Sequence, residues 1–153
     1  MSNDRFKFRA WFRDRWLHSY EKLGGCSISG ETMTIGGWLS EVKVEDLNDV
    51  IIEQCTGLKD SNGKLIYEGD IVRMSHMYHE CYCSGMCCEC QPIKGDTVGV
   101  VALLPSEGYV LKNNHFIDDE GEFVAKRKKY CKLYSTHETY LLGNIHENPE
   151  LLT

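Results

Sequence analysis

The sequence lacks the long apolar runs that membrane-spanning and secreted proteins carry. No stretch of its 153 residues approaches the roughly 20 apolar residues that cross a bilayer. The N-terminus is charged from Asp4 onward, without the apolar centre of a signal peptide. An excess of positive charge is also missing: the net charge is −6, which argues against a general attraction to nucleic acid or anionic membrane. These absences predict a cytoplasmic protein that does not enter membranes.

The signatures of common enzymes are missing as well. The sequence contains no Walker sequence, dinucleotide fingerprint, zinc-protease helix or Ser-His-Asp motif, and it has no internal repeat or low-complexity tract. Its length fits one domain that buries roughly two-thirds of the surface of the unfolded chain. We therefore predict a single domain over residues 1–153, with no catalytic residues and no enzymatic activity.

The most informative stretch runs from Gln54 to Met74. Asn62-Gly63 predicts a β-hairpin with a type I′ turn, because these residue types tolerate positive φ at both central positions. Leu65–Tyr67 suit the returning strand. Glu68-Gly69-Asp70 predicts a second tight turn, in which the glycine supplies the unusual φ and the aspartate bonds its own backbone. A corner of this kind, followed by Ile71-Val72, is common in small SH3-like barrels.

Other strands are predicted from period-two alternation or from apolar runs between turn residues. They cover residues 5–13, 32–35, 97–102, 108–111, a hairpin at 115–124 and a last strand at 140–145. A helical turn is expected at about residues 45–49, followed by extended chain. A second one starts at Asn148-Pro149, where asparagine is a good N-cap and proline suits the first helical position.

Three segments, in order along the chain, resemble the YopX family of phage and prophage proteins. They are QCTGLKDSNGKLIYEGDIV, the opening segment from Arg5 to Trp11, and the closing segment from Leu142 to Leu151. The resemblance implies a bacterial mobile-element origin and a β pseudo-barrel capped by a helix. It implies no established reaction and no catalytic residues. Cys55 stands where the family usually has an aromatic residue, which predicts a buried packing position.

A basic and aromatic N-terminal strand gives one candidate surface for nucleic acid. Basic side chains can hold a phosphate backbone while aromatic rings stack on bases. A basic run near residue 127, followed by Tyr130, is the second part of this surface. The candidate residues are Arg5, Lys7, Arg9, Trp11, Arg13, Lys126, Arg127, Lys128 and Lys129. The alternative interpretation is a solvated strand face and a charged edge that discourages aggregation.

Residues 75–96 are rich in cysteine and histidine and are expected to form a loop inserted between two strands. Thiolate and imidazole ligands suit Zn²⁺, which takes four of them in a tetrahedron. The candidate ligands are His76, His79, Cys81, Cys83, Cys87 and Cys90. Their spacing is tighter than that of a usual zinc ribbon. A structural zinc site, a loop of reduced thiols, and an iron–sulfur or redox site all remain open interpretations.

Together these features predict a mainly β fold: a small, partly open pseudo-barrel of the SH3 or PRC-barrel type, capped by a short α-helix. Open strand edges invite partner chains, so a homo-oligomer is expected. The functional hypothesis is a non-enzymatic accessory or regulatory binding protein of a phage, prophage or other mobile element, with an unknown host or phage protein as partner. The alternative is a nucleic-acid-binding module with a structural zinc loop.

Overall fold

The computed structural model describes residues 7–12, 15–19, 26–29, 32–35, 41–43, 49–78, 93–121, 123–126 and 130–152. These residues are almost entirely β-strand. The strands are β1 Phe8–Phe12, β2 Arg15–Ser19, β3 Cys26–Ser29, β4 Thr32–Ile35, β5 Glu41–Lys43, β6 Val50–Lys59, β7 Leu65–Tyr67, β8 Asp70–Tyr78, β9 Ile93–Leu104, β10 Gly108–Asp118, β11 Phe123–Lys126, β12 Cys131–Lys132 and β13 Thr139–Asn144. A 3-10 turn follows at Pro149–Leu152.

The chain divides into two compact units. Unit 1 comprises Met1–Leu58 and Leu65–Glu68, and unit 2 comprises Lys59–Lys64 and Gly69–Thr153. The backbone therefore passes between the units three times within a dozen residues. The single domain over residues 1–153 stays a prediction.

Unit 1 contains a four-stranded sheet in the order β2-β1-β6-β7, and a three-stranded sheet in the order β3-β4-β5. The pairing of β1 with β6 is antiparallel and brings Arg9 opposite Glu53 and Ala10 opposite Ile52. Buried side chains of this unit include Ala10, Trp11, Cys55 and Ile66. The predicted burial of Cys55 is therefore confirmed.

Unit 2 is built on an antiparallel sheet in the order β11-β10-β9-β8-β13, with β12 paired to β10. The central strand, β9, is buried from Thr97 to Val101, as expected for a continuous apolar run between two long neighbours. Ile71, Val98 and Val100 form a buried cluster, against which Ile117, Ile145 and Leu152 pack. Each fully buried aliphatic or aromatic side chain stabilises the fold by about 1.5–3 kcal/mol.

Many of the predicted strands are confirmed. Leu65–Tyr67 form β7, Thr32–Ile35 form β4, and residues 97–102 lie within β9. The hairpin predicted at 115–124 is formed by β10 and β11, with Gly121 at positive φ in its turn. The single helical turn after Asn148 is confirmed as the 3-10 turn, and the chain is extended from Val50 as predicted.

The predicted pseudo-barrel is wrong. Among the described strands, the sheet of unit 2 runs from β11 to β13 and the four-stranded sheet of unit 1 runs from β2 to β7, and neither path closes on itself. Closure of the larger sheet would need another strand on the outer edge of β13. That edge is instead bonded to Asp60 and Ser61, as shown below. The described strands therefore form open antiparallel sheets.

The α-helical cap and the bounds of the cysteine-rich loop also need correction. No α-helix occurs among the described residues, and most of the candidate helix, residues 44–48, lies outside them. Residues 75–78 pair with residues 93–96 in a regular β8–β9 ladder. The ends of the predicted loop are therefore strand, because each finds a cross-strand partner. Residues 79–92 lie outside the described residues. No helix in the described part of the chain has the length and apolar character required to cross a membrane.

Gly95 offers a sharp test of the packing between β9 and β10. A Cβ atom at this position would lie 2.8 Å from Cζ of Phe116 and 2.9 Å from Cα of Asp118, and against the carbonyl oxygen of Ile117. Because two of these neighbours are backbone atoms, the strands must move apart to admit a methyl group. We expect Gly95→Ala to lower the free energy of unfolding by about 1–3 kcal/mol, measured by urea denaturation.

The matched control is Lys94→Ala, at the exposed neighbouring position. It should change the free energy of unfolding by less than about 0.5 kcal/mol. Equal unfolding midpoints for the two variants would contradict the close approach at Gly95.

Candidate functional site

The tip of the β6–β7 hairpin is a three-residue loop and not the predicted type I′ turn. The N–H of Gly63 donates to the carbonyl oxygen of Asp60 (2.9 Å), and the N–H of Asp60 donates to the carbonyl oxygen of Lys64 (2.8 Å). Gly63 has a φ of 83°, but Asn62 does not have a positive φ. This arrangement matches a type I turn followed by a left-handed glycine, which closes three-residue hairpins. The hairpin is confirmed, and only the turn type was wrong.

Asp60 decides the shape of this tip. Its Oδ1 accepts the N–H groups of Asn62 (2.9 Å) and Lys64 (2.8 Å), and its Oδ2 accepts the N–H of Leu141 (3.4 Å). Only 5% of the residue is exposed. Burial alone would raise the pKa of this carboxyl, but the N–H donors of Lys64, Leu141 and Asn62 outweigh burial and hold the pKa below its usual value.

The same tip bonds the outer edge of β13. The N–H of Ser61 donates to the carbonyl oxygen of Thr139 (2.7 Å), and the N–H of Thr139 donates to Oγ of Ser61 (3.2 Å). With the bond from Leu141 to Asp60, three outward-facing backbone groups of β13 find partners on the tip. We call this set of residues, Asp60, Ser61, Thr139 and Leu141, the clasp. Its effect is to cover a sheet edge that would otherwise offer unpaired N–H and C=O groups.

The Glu68-Gly69-Asp70 corner forms where it was predicted. Gly69 has a φ of 77°, its N–H donates to the carbonyl oxygen of Val101, and its own carbonyl accepts the N–H of Ile145. Asp70 is fully buried, and its Oδ1 accepts Nδ2 of Asn144 at 3.4 Å. Two of the segments that carry the family resemblance therefore meet at a buried carboxylate–amide pair.

Unit 1 contains a buried ion pair framed by aromatic rings. The guanidinium of Arg9 contacts Oε2 of Glu53 through Nε (2.7 Å) and Nη2 (2.6 Å), and Nη2 also donates to the carbonyl oxygen of Glu68. Its Cζ lies 4.4 Å from the ring centroid of Trp16 and 4.8 Å from that of Tyr67. We call Arg9, Glu53, Trp16 and Tyr67 the arginine cage. Glu53 is only 3% exposed, so its charge is balanced within the fold.

A β-bulge in β10 was not predicted. Lys112 pairs with Val100 and His115 pairs with Val98, so Asn113 and Asn114 both lie opposite Gly99. Asn113 has a φ of 48°, a conformation that asparagine tolerates better than most residues. Bulges are frequent beside functional sites. The Asn-Asn pair between two strand-like segments is the sequence signal that could have located it.

The bulge carries one buried polar side chain, that of Asn114, and one half-buried polar side chain, that of His115. Asn114 is 6% exposed; its Nδ2 donates to the carbonyl oxygen of Leu111 (2.8 Å), while its Oδ1 has no hydrogen-bond partner among the described residues. Burial lowers the pKa of His115, so this imidazole is neutral at neutral pH. The bulge is therefore a polar feature of β10.

Comparison with known proteins assigns nearly the whole chain to one protein family. The profile of the family described as YopX protein matches residues 7–153. The chain belongs to the YopX family. A search of curated proteins finds no match. Among solved structures, the protein is similar to EF1440 from Enterococcus faecalis, at 22% identity over 96% of this chain and 97% of that chain, with a TM-score of 0.42.

The nucleic-acid residues predicted in this YopX family member are distributed over both units. Lys7, Arg9 and Trp11 belong to unit 1, and Lys126 belongs to β11 of unit 2, where its backbone pairs with His115. Trp11 is 8% exposed, and Arg9 is engaged by Glu53. The remaining candidates, Arg5, Arg13, Arg127, Lys128 and Lys129, lie outside the described residues. The nucleic-acid surface stays a prediction.

The zinc hypothesis also stays a prediction. The backbone of His76 lies in β8, opposite Gly95. The other candidate ligands, His79, Cys81, Cys83, Cys87 and Cys90, fall outside the part of the chain that the structure describes. Within the described part, no group of three or more histidine, cysteine, aspartate or glutamate residues is arranged to hold a metal ion.

Sequence reasoning missed Glu53, the counter-ion of Arg9. A glutamate inside the apolar run Val50-Ile-Ile-Glu-Gln-Cys was the available signal, because a charged residue in a buried strand needs a partner. The alternation in residues 5–13 was also misleading. Phe8 is 37% exposed, whereas Arg9 on the opposite face is stacked between aromatic rings. The strand was predicted correctly, but both of its faces carry a buried residue, Ala10 on the face of Phe8 and Trp11 on the face of Arg9.

The role of Asp60 can be tested by Asp60→Asn. The substitution removes the charged acceptor of three N–H groups, so we expect the free energy of unfolding at pH 7 to fall by about 1.5–3 kcal/mol. Because the folded pKa of Asp60 lies below its unfolded value of about 3.9, the stabilisation is complete above that pH and is lost as the pH falls through the folded pKa. The difference between wild type and variant should therefore narrow below about pH 4.

Urea denaturation at a series of pH values checks this expectation. The control is Asp119→Asn, which removes an exposed carboxylate from the turn of the β10–β11 hairpin and should leave the midpoint nearly unchanged. If Asp60→Asn and Asp119→Asn behave alike at pH 7, Asp60 does not hold the tip.

The arginine cage predicts strong coupling between Arg9 and Glu53. Glu53→Gln removes the carboxylate charge that faces the largely buried guanidinium of Arg9, so we expect a loss of up to about 3–5 kcal/mol in the free energy of unfolding. The double variant Arg9→Met, Glu53→Leu should recover most of that loss, since it removes both charges. Guanidinium chloride denaturation followed by tryptophan fluorescence measures both effects.

A second, more exposed ion pair serves as the control for the coupling between Arg9 and Glu53. Arg73 and Asp96 are 3.4 Å apart, and their side chains are 47% and 31% exposed. Their coupling should stay below about 1 kcal/mol. A coupling energy for Arg9 and Glu53 as small as that of the exposed pair would contradict the cage.

Proposed function

We propose that this member of the YopX family is a non-enzymatic accessory protein of a phage, prophage or related mobile element, and that it acts in the bacterial cytoplasm by binding another protein chain. Family membership supports the mobile-element origin. The binding role is supported by the open sheets. We further propose that the protein associates with copies of itself.

Open strand edges are the observation that carries this proposal. In the described part of the chain, the sheets end in the edge strands β2 and β7, β11 and β13, and β3 and β5. Of these, β13 is covered by the clasp. An edge strand presents N–H and C=O groups to which an extended segment of a partner can add. Main-chain bonds of this kind give affinity, and alternate side chains give specificity.

The use of buried charge also supports a binding role. Glu53 is paired with Arg9, Asp60 accepts three backbone N–H groups, and Asp70 accepts the amide of Asn144. These carboxylates hold strands and turns together, so their chemistry is already used by the fold. Exposed catalytic acids and bases commonly have strongly perturbed pKa values, whereas the shifted pKa of Asp60 has a structural cause.

Affinity capture from bacteria that carry the mobile element tests the proposal. Tagged wild-type protein is expected to retain a host or element protein in fixed stoichiometry, and the purified pair should rebind in solution. The Asp119→Asn variant is the matched control, because it changes one exposed charge in a turn and leaves every described strand unchanged, and it should retain the same partner. Reproducible turnover of a substrate by the purified protein, or capture of nothing beyond the tag-only background, would contradict the proposal.

A further inference from the structure

The two halves of the clasp are complementary surfaces carried by one chain. The tip supplies the Asp60 carboxylate, the Ser61 hydroxyl and the Ser61 N–H, and the β13 edge supplies the N–H groups of Thr139 and Leu141 and the Thr139 carbonyl. The tip thus occupies the place that an additional strand would take. Since every copy of the protein carries both halves, the tip of one copy fits the edge of another.

The connections of the tip are suited to such an exchange. Lys59–Lys64 group with unit 2, while the residues on either side, up to Leu58 and from Leu65 to Glu68, group with unit 1. Gly57 and Gly69 bracket this region, and both have a φ of 77°. Positions of this kind can absorb a change in backbone direction, as hinge residues do. The tip is therefore a short element that lies between two glycines of positive φ.

We propose that the hairpin tip exchanges between two copies of the protein, so that Asp60 and Ser61 of each copy clasp the β13 edge of the other. This proposal deepens the proposed self-association and rests on it. The exchanged dimer makes the same hydrogen bonds as the closed monomer, so the two differ mainly in association entropy and in the strain of the hinges. Exchange of an identical element is a low-cost route to a closed two-fold dimer.

The chemistry of the edge favours a second copy over an unrelated peptide. A plain β-strand offers carbonyl oxygens to the N–H groups of Thr139 and Leu141. Here those N–H groups are bonded by side-chain oxygens of Asp60 and Ser61, held at the right spacing by the turn at Gly63. Another copy of the tip reproduces this spacing without any adjustment.

Two variants separate the halves of the clasp. Ser61→Pro removes the N–H and hydroxyl of the tip and leaves the edge intact; proline suits this position, the second residue of a type I turn. Leu141→Pro removes the outward N–H of the edge and leaves the tip intact, and proline is tolerated on edge strands. Neither variant should dimerise alone, because no copy in either sample can form a complete clasp.

Mixing the two variants is the decisive experiment. The tip of Leu141→Pro fits the edge of Ser61→Pro, so an equimolar mixture is expected to form a heterodimer with one complete clasp. Sedimentation velocity of fluorescently labelled Ser61→Pro should shift to the dimer when unlabelled Leu141→Pro is added. It should not shift when unlabelled Ser61→Pro is added, which is the matched control.

A mixture that stays monomeric while the wild type self-associates overturns tip exchange and leaves the proposed self-association standing. A wild type that remains monomeric at every concentration overturns both. If far-UV circular dichroism shows that a proline variant does not fold, the wild type itself gives the answer. Copies labelled with ¹⁴N and ¹⁵N are mixed and cross-linked between amines and carboxyls. Mixed-isotope links between peptide 59–64 and peptide 135–144 support exchange, and links within one isotope only overturn it.

Discussion

The carboxylate of Asp60 is the point on which the described structure depends most. It closes the β6–β7 hairpin by accepting two N–H groups of the turn, and it also bonds the backbone of Leu141 in β13. One side chain thus organises a turn and covers a sheet edge separated from it by about eighty residues of sequence. Because the group is buried and charged, its hydrogen bonds are stronger than those between neutral groups. The clasp is therefore a firmly bonded contact between the hairpin tip and the edge of β13.

The two units stabilise their buried carboxylates in different ways. In unit 1, Glu53 is balanced by a guanidinium that is itself framed by Trp16 and Tyr67. In unit 2, the carboxylate of Asp60 is balanced by backbone N–H groups, whose partial charges hold its pKa low. The first solution needs long-range pairing of side chains across β1 and β6, whereas the second is mostly local to a turn. Both use polar groups to specify strand pairing.

Because the described sheets are open, the main functional question for this member of the YopX family is what covers or pairs with their edge strands. A sheet that does not close must cover its edges, pair them or offer them to a partner. The β13 edge is covered by the chain's own hairpin tip, whose residues carry the family resemblance most clearly. Those residues also build the Gly69–Asp70 corner that meets Asn144. The resemblance therefore marks a structural junction.

The sequence by itself determined the family, the mainly β character, the hairpin at Asn62-Gly63 and the corner at Gly69, because turn residues and short apolar strands are local signals. Only the tertiary structure decided that the sheets stay open, that Arg9 pairs with Glu53 and that Asp60 reaches Leu141. Each of these depends on which strands become neighbours and in what register. A period-two pattern records that a strand has two faces, but it does not say which partner each face will meet.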